Sequence, residues 1–299
     1  MEGRRTRRAF HRTGVDRVLP LALGLLSGLT WGSADFVGGL MSKRMPTAIV
    51  MVVSQAAGLV FVAGLVLVLG EPRPEARFLA VGALGGLAGA IGLASLYKGL
   101  AVGRMSIVAP TAALSGVVPV LVGFAQGERP GPLQLAGMAV AGVGVLLAVR
   151  APEPREAPPR VTSTTGIGYA LLAALFLGLF VTSLDASGEA SAAWASLMVR
   201  VVSVPLFLIA ALATARDTRC LLPREVGILA GVGLLDNGAN IMFAVASQEG
   251  LLSLVAVLGS LYPVSTVLLA RWFLHERLEP LQIVGVTAAF SGVAMIAVG

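Results

Sequence analysis

The 299 residues are 56% hydrophobic and 13% charged, with a mean hydropathy of +0.87. Soluble domains carry roughly 25% charged residues, so this composition excludes an ordinary water-soluble protein and makes the lipid bilayer the chain's first partner. The net charge of +6 does not argue for nucleic acid, because six of its arginines cluster before the first apolar run, and a lone Cys220 excludes a disulfide framework.

In chain order, residues 1–17 form a basic tail in which Arg4, Arg5, Arg7, Arg8, Arg12 and Arg17 face only Glu2 and Asp16. Such a cluster before a first apolar run anchors that end in the cytoplasm. The run that follows is too long for the apolar core of a secretory signal, and no small-residue cleavage site closes it. Apolar stretches at 18–39, 47–70, 78–97, 105–126 and 132–149 have the length a helix needs to cross about 30 Å of hydrocarbon. A polar linker at 150–165, rich in proline and charge, interrupts them. Five more stretches follow at 166–185, 192–214, 225–247, 252–273 and 279–298. None alternates apolar and polar residues as a membrane β-strand does. The fold expected is an all-α polytopic membrane protein with ten transmembrane helices.

The two sets of five repeat each other. Glu128, Arg129, Pro132, Leu133, Gln134 and Gly137 have identical partners 148 positions later, in Glu276-Arg-Leu-Glu-Pro-Leu-Gln-Ile-Val-Gly285. Gly32 matches Gly178, and Gly103-Arg-Met-Ser-Ile-Val-Ala matches Gly250-Leu-Leu-Ser-Leu-Val-Ala. Residues 18–149 and 166–298 therefore read as two five-helix repeats. Five is odd, so the second must be inverted in the membrane relative to the first. The N-terminal arginines, with Arg73, Arg77 and Arg129, place both termini in the cytoplasm. Arg216, Arg219, Arg224, Arg271 and Arg277 of the second half then fall on the opposite side, against the usual bias.

Pro119-Val120 before Gly127-Glu128, Pro263-Val264 before Glu276, and the opening Trp31-Gly-Ser-Ala-Asp-Phe-Val-Gly-Gly39 resemble the drug/metabolite transporter superfamily, in its EamA-type ten-helix branch. His275 departs from that pattern where glycine is commoner. The resemblance implies a central cavity lined by the first four helices of each repeat and alternating access. It also implies secondary transport, most often export of small metabolites or amino-acid-like solutes across the cell membrane.

Ionisable side chains within spans cost roughly 2.5–3.5 kcal/mol each on insertion scales and call for a reason. Arg200 has no acidic neighbour on its own helix, and Asp236 lies with Asn237 and Asn240 on the next. A structural ion pair explains them as readily as a polar face along a solute path. On the second reading Arg200 attracts a carboxylate or phosphate and Asp236 balances charge or couples an ion. Gln55 stands 145 residues before Arg200, the equivalent place in the first repeat, so the two are expected to face each other. Trp31, Tyr97 and Tyr262 are candidate cavity walls or interfacial anchors. Asp35, four residues after Trp31, ranks below Asp236 because it lies nearer the end of its run. Glu128 and Glu276 are expected to terminate helices and pair locally. Gly82/Gly86 and Gly85/Gly89 have the spacing that lets helices approach closely.

The sequence has no phosphate-binding loop, dinucleotide fingerprint or metal-ligand set, so no cofactor is expected. A monomer carrying a small-molecule substrate is the expected form. An intramembrane enzyme or a scaffold without transport are the alternatives. The enzyme is disfavoured because both histidines, His11 and His275, lie outside the spans and neither Asp35 nor Asp236 has a flanking catalytic motif.

Overall fold

The structure, a computed structural model, describes residues 14–102, 105–150, 164–214, 221–275 and 278–299. These form α1 (Gly14–Ser42), α2 (Thr47–Leu69), α3 (Ala76–Val102), α4 (Met105–Ala112), a 3-10 turn (Ala113–Gly116), α5 (Val117–Ala125) and α6 (Pro132–Ala148). The second half supplies α7 (Thr164–Gly188), α8 (Ala192–Thr214), α9 (Pro223–Glu249), α10 (Leu252–Gly259), α11 (Tyr262–Phe273) and α12 (Pro280–Val298). No strand occurs among the described residues. Among the described residues eight segments are long and apolar enough to cross a membrane, and α6 is apolar but shorter. Their outward faces carry large apolar side chains such as Leu67, 82% exposed, and Leu212 and Trp272. That surface suits lipid and not water.

The repeated Pro-Leu-Gln segment is a helix-start device. Pro132 and Pro280 open α6 and α12, where a missing N–H costs nothing. Two residues on, Oε1 of Gln134 accepts the N–H of Gly131 at 2.9 Å, and Oε1 of Gln282 accepts that of Glu279 at 3.0 Å. Each side chain thus satisfies one of the donors that a helix N-terminus leaves over.

The fourth helix of each half is broken at the same place. The 3-10 turn at 113–116 separates α4 from α5, and residues 260–261, 147 positions later, separate α10 from α11. In the second copy Pro263 lacks the N–H that would continue the ladder. The two breaks touch, since a Cβ on Gly116 would lie 3.0 Å from that of Ser260.

The most extensive packing joins helices of different halves, and it comes in equivalent pairs. α1 lies on α9 as α7 lies on α3, and α2 lies on α9 as α8 lies on α3. α1 lies along α10 and α11 as α7 lies along α4 and α5, while α2 meets α8 and α6 meets α12. At the last of these, Gly137 abuts Gly292 and Gly144 abuts Gly285. Early residues of one helix meet late residues of its counterpart, so these two equivalent helices run antiparallel. An inverted repeat requires that geometry. The spacing seen in α3 also resolves into two faces: Gly82 and Gly86 meet α8, whereas Gly85 and Gly89 meet Ser183 and Phe180 on α7.

Glu128 does more than end its helix and pair locally. Its Oε1 and Oε2 accept the backbone N–H groups of Leu252 and Ser253, at 2.7 and 2.9 Å, across the interface between halves. The carboxylate caps α10, where the helix dipole also favours a negative charge. Truncation leaves two buried donors without this acceptor, at about 1–3 kcal/mol. Thermal unfolding in detergent is expected to rank the native protein above Glu128→Gln, and that above Glu128→Ala. Coincident midpoints would contradict the capping role. Glu276, its repeat partner, and Cys220 lie outside the described residues.

Candidate functional site

The polar site is built by two glycines that are themselves repeat-equivalent. A Cβ on Gly233 of α9 would collide with the backbone carbonyl of Ser54 on α2, and one on Gly86 of α3 with the carbonyl of Val199 on α8. Bare backbone at these points lets the helices close to contact. The next residue along each partner helix is Gln55 or Arg200, and the two side chains meet at the centre of the bundle.

The Arg200 side chain is 5% exposed, and each of its three nitrogens donates to a protein oxygen. Nη1 donates to Oε1 of Gln55, Nη2 pairs with the Asp236 carboxylate, and Nε donates to Oδ1 of Asn237 at 3.0 Å. The acceptors are fixed in turn. Ser196, one turn before Arg200, donates to the same Asn237 oxygen at 2.9 Å, Asn237 Nδ2 donates to the Gly233 carbonyl at 2.8 Å, and Ser203 reaches Gln55 at 3.4 Å. A buried charge is tolerated only with partners of this kind. Asp236 keeps 27% of its side chain exposed, on the open side of the network.

One turn beyond, Trp31 Nε1 donates to Asn240 Oδ1 at 2.9 Å, and its ring lies 5.6 Å from that of Phe243. Gly38 faces Val232 on the same seam. Residues 31 and 38 thus meet 240 and 232, so α1 and α9 run antiparallel, and Asp35 stands opposite Asp236. Asp35 has an exposed surface although it sits deep among the helices, as a side chain on a cleft wall does. Its carboxyl interacts electrostatically with Asp236, Tyr97 and Tyr262. Tyr97 is 43% exposed and its hydroxyl lies 3.8 Å from Met51 Sδ, while Tyr262, at the helix break, hydrogen-bonds Ser115 at the equivalent break.

The eight residues singled out from sequence fall into three adjoining groups. Gln55, Arg200, Asp236 and Asn237 share one network, Trp31 and Asn240 share a hydrogen bond, and Tyr97 and Tyr262 interact electrostatically with Asp35. Ser196 and Ser203 are additions. Both lie a turn from Arg200 on its own helix, and that spacing was the available signal. Asp35 belongs with the cluster more closely than its sequence position suggested. A separate cavity of about 300 Å³ lies away from these groups, against Pro20, Leu21, Arg129, Gln134, Leu254 and Ile296.

Comparison with known proteins follows the same division of the chain. The model of the EamA-like transporter family matches residues 18–150 and again 164–298. No curated protein matches significantly. A solved structure described only as "Crystal structure of protein" superposes with a TM-score of 0.75, covering 93% of this chain and 96% of that one at 16% identity. At that identity the likeness speaks for the fold.

Proposed function

Because the chain belongs to the EamA-like transporter family, we propose that it is a secondary active transporter that exports small metabolites or amino-acid-like solutes across the cytoplasmic membrane. In this proposal ten helices span the bilayer, α1 and α6 included, with both termini in the cytoplasm, and the protein acts without a cofactor. The observation that carries it is the network joining Gln55 of one repeat to Arg200 of the other. A polar cluster costs free energy in a membrane protein, and this one stands where the two halves meet, with Asp236 partly exposed.

The contacts support alternating access as the mechanism. The halves interlock through equivalent helix pairs, and each contains one broken helix near the centre. Broken helices at matching places in inverted repeats supply both solute ligands and points of flexure. Trp31, Tyr97, Tyr262 and Asn240 would line the solute path. Asp236 is the residue assigned to ion coupling, because it is the partly exposed member of the ion pair with Arg200.

The test is counterflow in proteoliposomes. Purified protein is expected to accelerate exchange of a labelled solute into vesicles preloaded with the same solute, across a panel of amino acids, small amines and organic anions. Protein-free vesicles supply the baseline. Rates at that baseline for every class would leave a scaffold as the better description.

A further inference from the structure

We propose that the cleft selects cationic solutes, with Asp35 receiving a substrate ammonium group between the aromatic side chains of Trp31, Tyr97 and Tyr262. The proposal rests on the transporter reading above and names its substrate class. It begins with Arg200, the one side chain at the site that would attract an anion. Every nitrogen of its guanidinium is committed to Gln55, Asp236 or Asn237. Its charge is already balanced by Asp236 and its side chain is 5% exposed, so it offers an entering carboxylate little.

The carboxylates are not matched. Asp236 has its cation in Arg200, whereas among the described residues Asp35 makes neither an ion pair nor a hydrogen bond and keeps an exposed surface. Asp35 therefore has no cation of its own among those residues, and an entering ammonium group would supply one. Trp31 stands one turn from Asp35 on the same helix, and both tyrosines interact with its carboxyl. Aromatic faces attract ammonium groups most strongly where water is excluded.

A separate observation concerns Asn240. It is fully buried, its Oδ1 accepts from Trp31, and its Nδ2 has no partner. A buried donor left open is costly, and this one lies on the seam that carries Asp35 and Trp31. It fits an uncharged oxygen on the same solute, as in an amino alcohol. It offers no charge to hold a carboxylate.

Matched solutes that share a skeleton provide the experiment. Equilibrium binding to purified protein in detergent, read by intrinsic tryptophan fluorescence, would compare putrescine with ornithine and ethanolamine with serine, with butyrate as the anion. Counterflow would be measured for the same set. Each amine is expected to bind and exchange at least tenfold better than its amino acid, with butyrate at background. Asp35→Asn is expected to erase that preference at an unchanged unfolding midpoint, and Asp35→Glu to retain part of it. Equal binding of amine and amino acid, or an unchanged preference in Asp35→Asn, overturns the proposal. Selective amine binding without counterflow supports the cation site and counts against transport. Counterflow of anions or amino acids at the rate of amines does the reverse.

Discussion

Arg200→Ala is expected to abolish counterflow and to lower the thermal unfolding midpoint further than any other single change within the polar network. The substitution removes three donors from the centre of the bundle. Gln55 and Asn237 lose a partner, and Asp236 becomes a carboxylate without its cation. Breaking a buried pair by deleting one member costs about 3–5 kcal/mol, because the surviving charge stays behind. Arg200→Lys keeps the charge but cannot address three acceptors at once, so an intermediate midpoint and little transport are expected. The double variant Arg200→Met with Asp236→Leu separates the two roles. Removing both charges together is often neutral for stability, so its midpoint should recover towards the native value while counterflow stays at background. Normal counterflow by Arg200→Ala would remove the network from the solute path. Recovery of both properties in the double variant would reduce the network to a structural ion pair.

The architecture was legible because duplication leaves its mark on spacing. Gly32 packs against Ser265 and the carbonyl of Tyr262, and Gly178 against Val118 and the carbonyl of Ser115. These are one contact written twice, 147 residues apart in the partner and 146 in the glycine. The facing of Gln55 and Arg200 was legible for the same reason. Asp35 was not. Its distance from the end of an apolar run made it look shallow, but depth along a helix says nothing about which neighbour it faces. That depended on the antiparallel crossing of α1 and α9, set by the packing of Trp31 on Phe243 and Gly38 on Val232. The sequence likewise placed Glu128 at a helix end but not its reach to another helix, since the capped N–H groups lie 124 and 125 residues away.

The close approach of α2 and α9 leads to an expectation with opposite signs at two glycines of one helix. Gly233→Ala places a methyl group against the carbonyl of Ser54 and 2.9 Å from the amide nitrogen of Gly58. Both obstacles are backbone, so no rotamer change relieves them, and α2 must shift away from α9. Overpacking of this kind costs about 1–3 kcal/mol. The shift also draws Gln55, the residue after Ser54, away from an arginine held on α8 and from Asn237, one turn along α9. Counterflow should therefore fall with stability. Gly231→Ala meets nothing within 4 Å, and alanine is the better helix former by about 1 kcal/mol. That variant should match or exceed the native midpoint with counterflow intact. Gly86→Ala, whose added methyl would strike the Val199 carbonyl at the equivalent crossing of α3 and α8, should behave as Gly233→Ala does. Equal effects at Gly231 and Gly233 would mean that helix propensity outweighs the backbone contact here. A loss confined to Gly233→Ala and Gly86→Ala would tie the geometry of Arg200 to both crossings, since the two glycines bring together the two copies of one polar position.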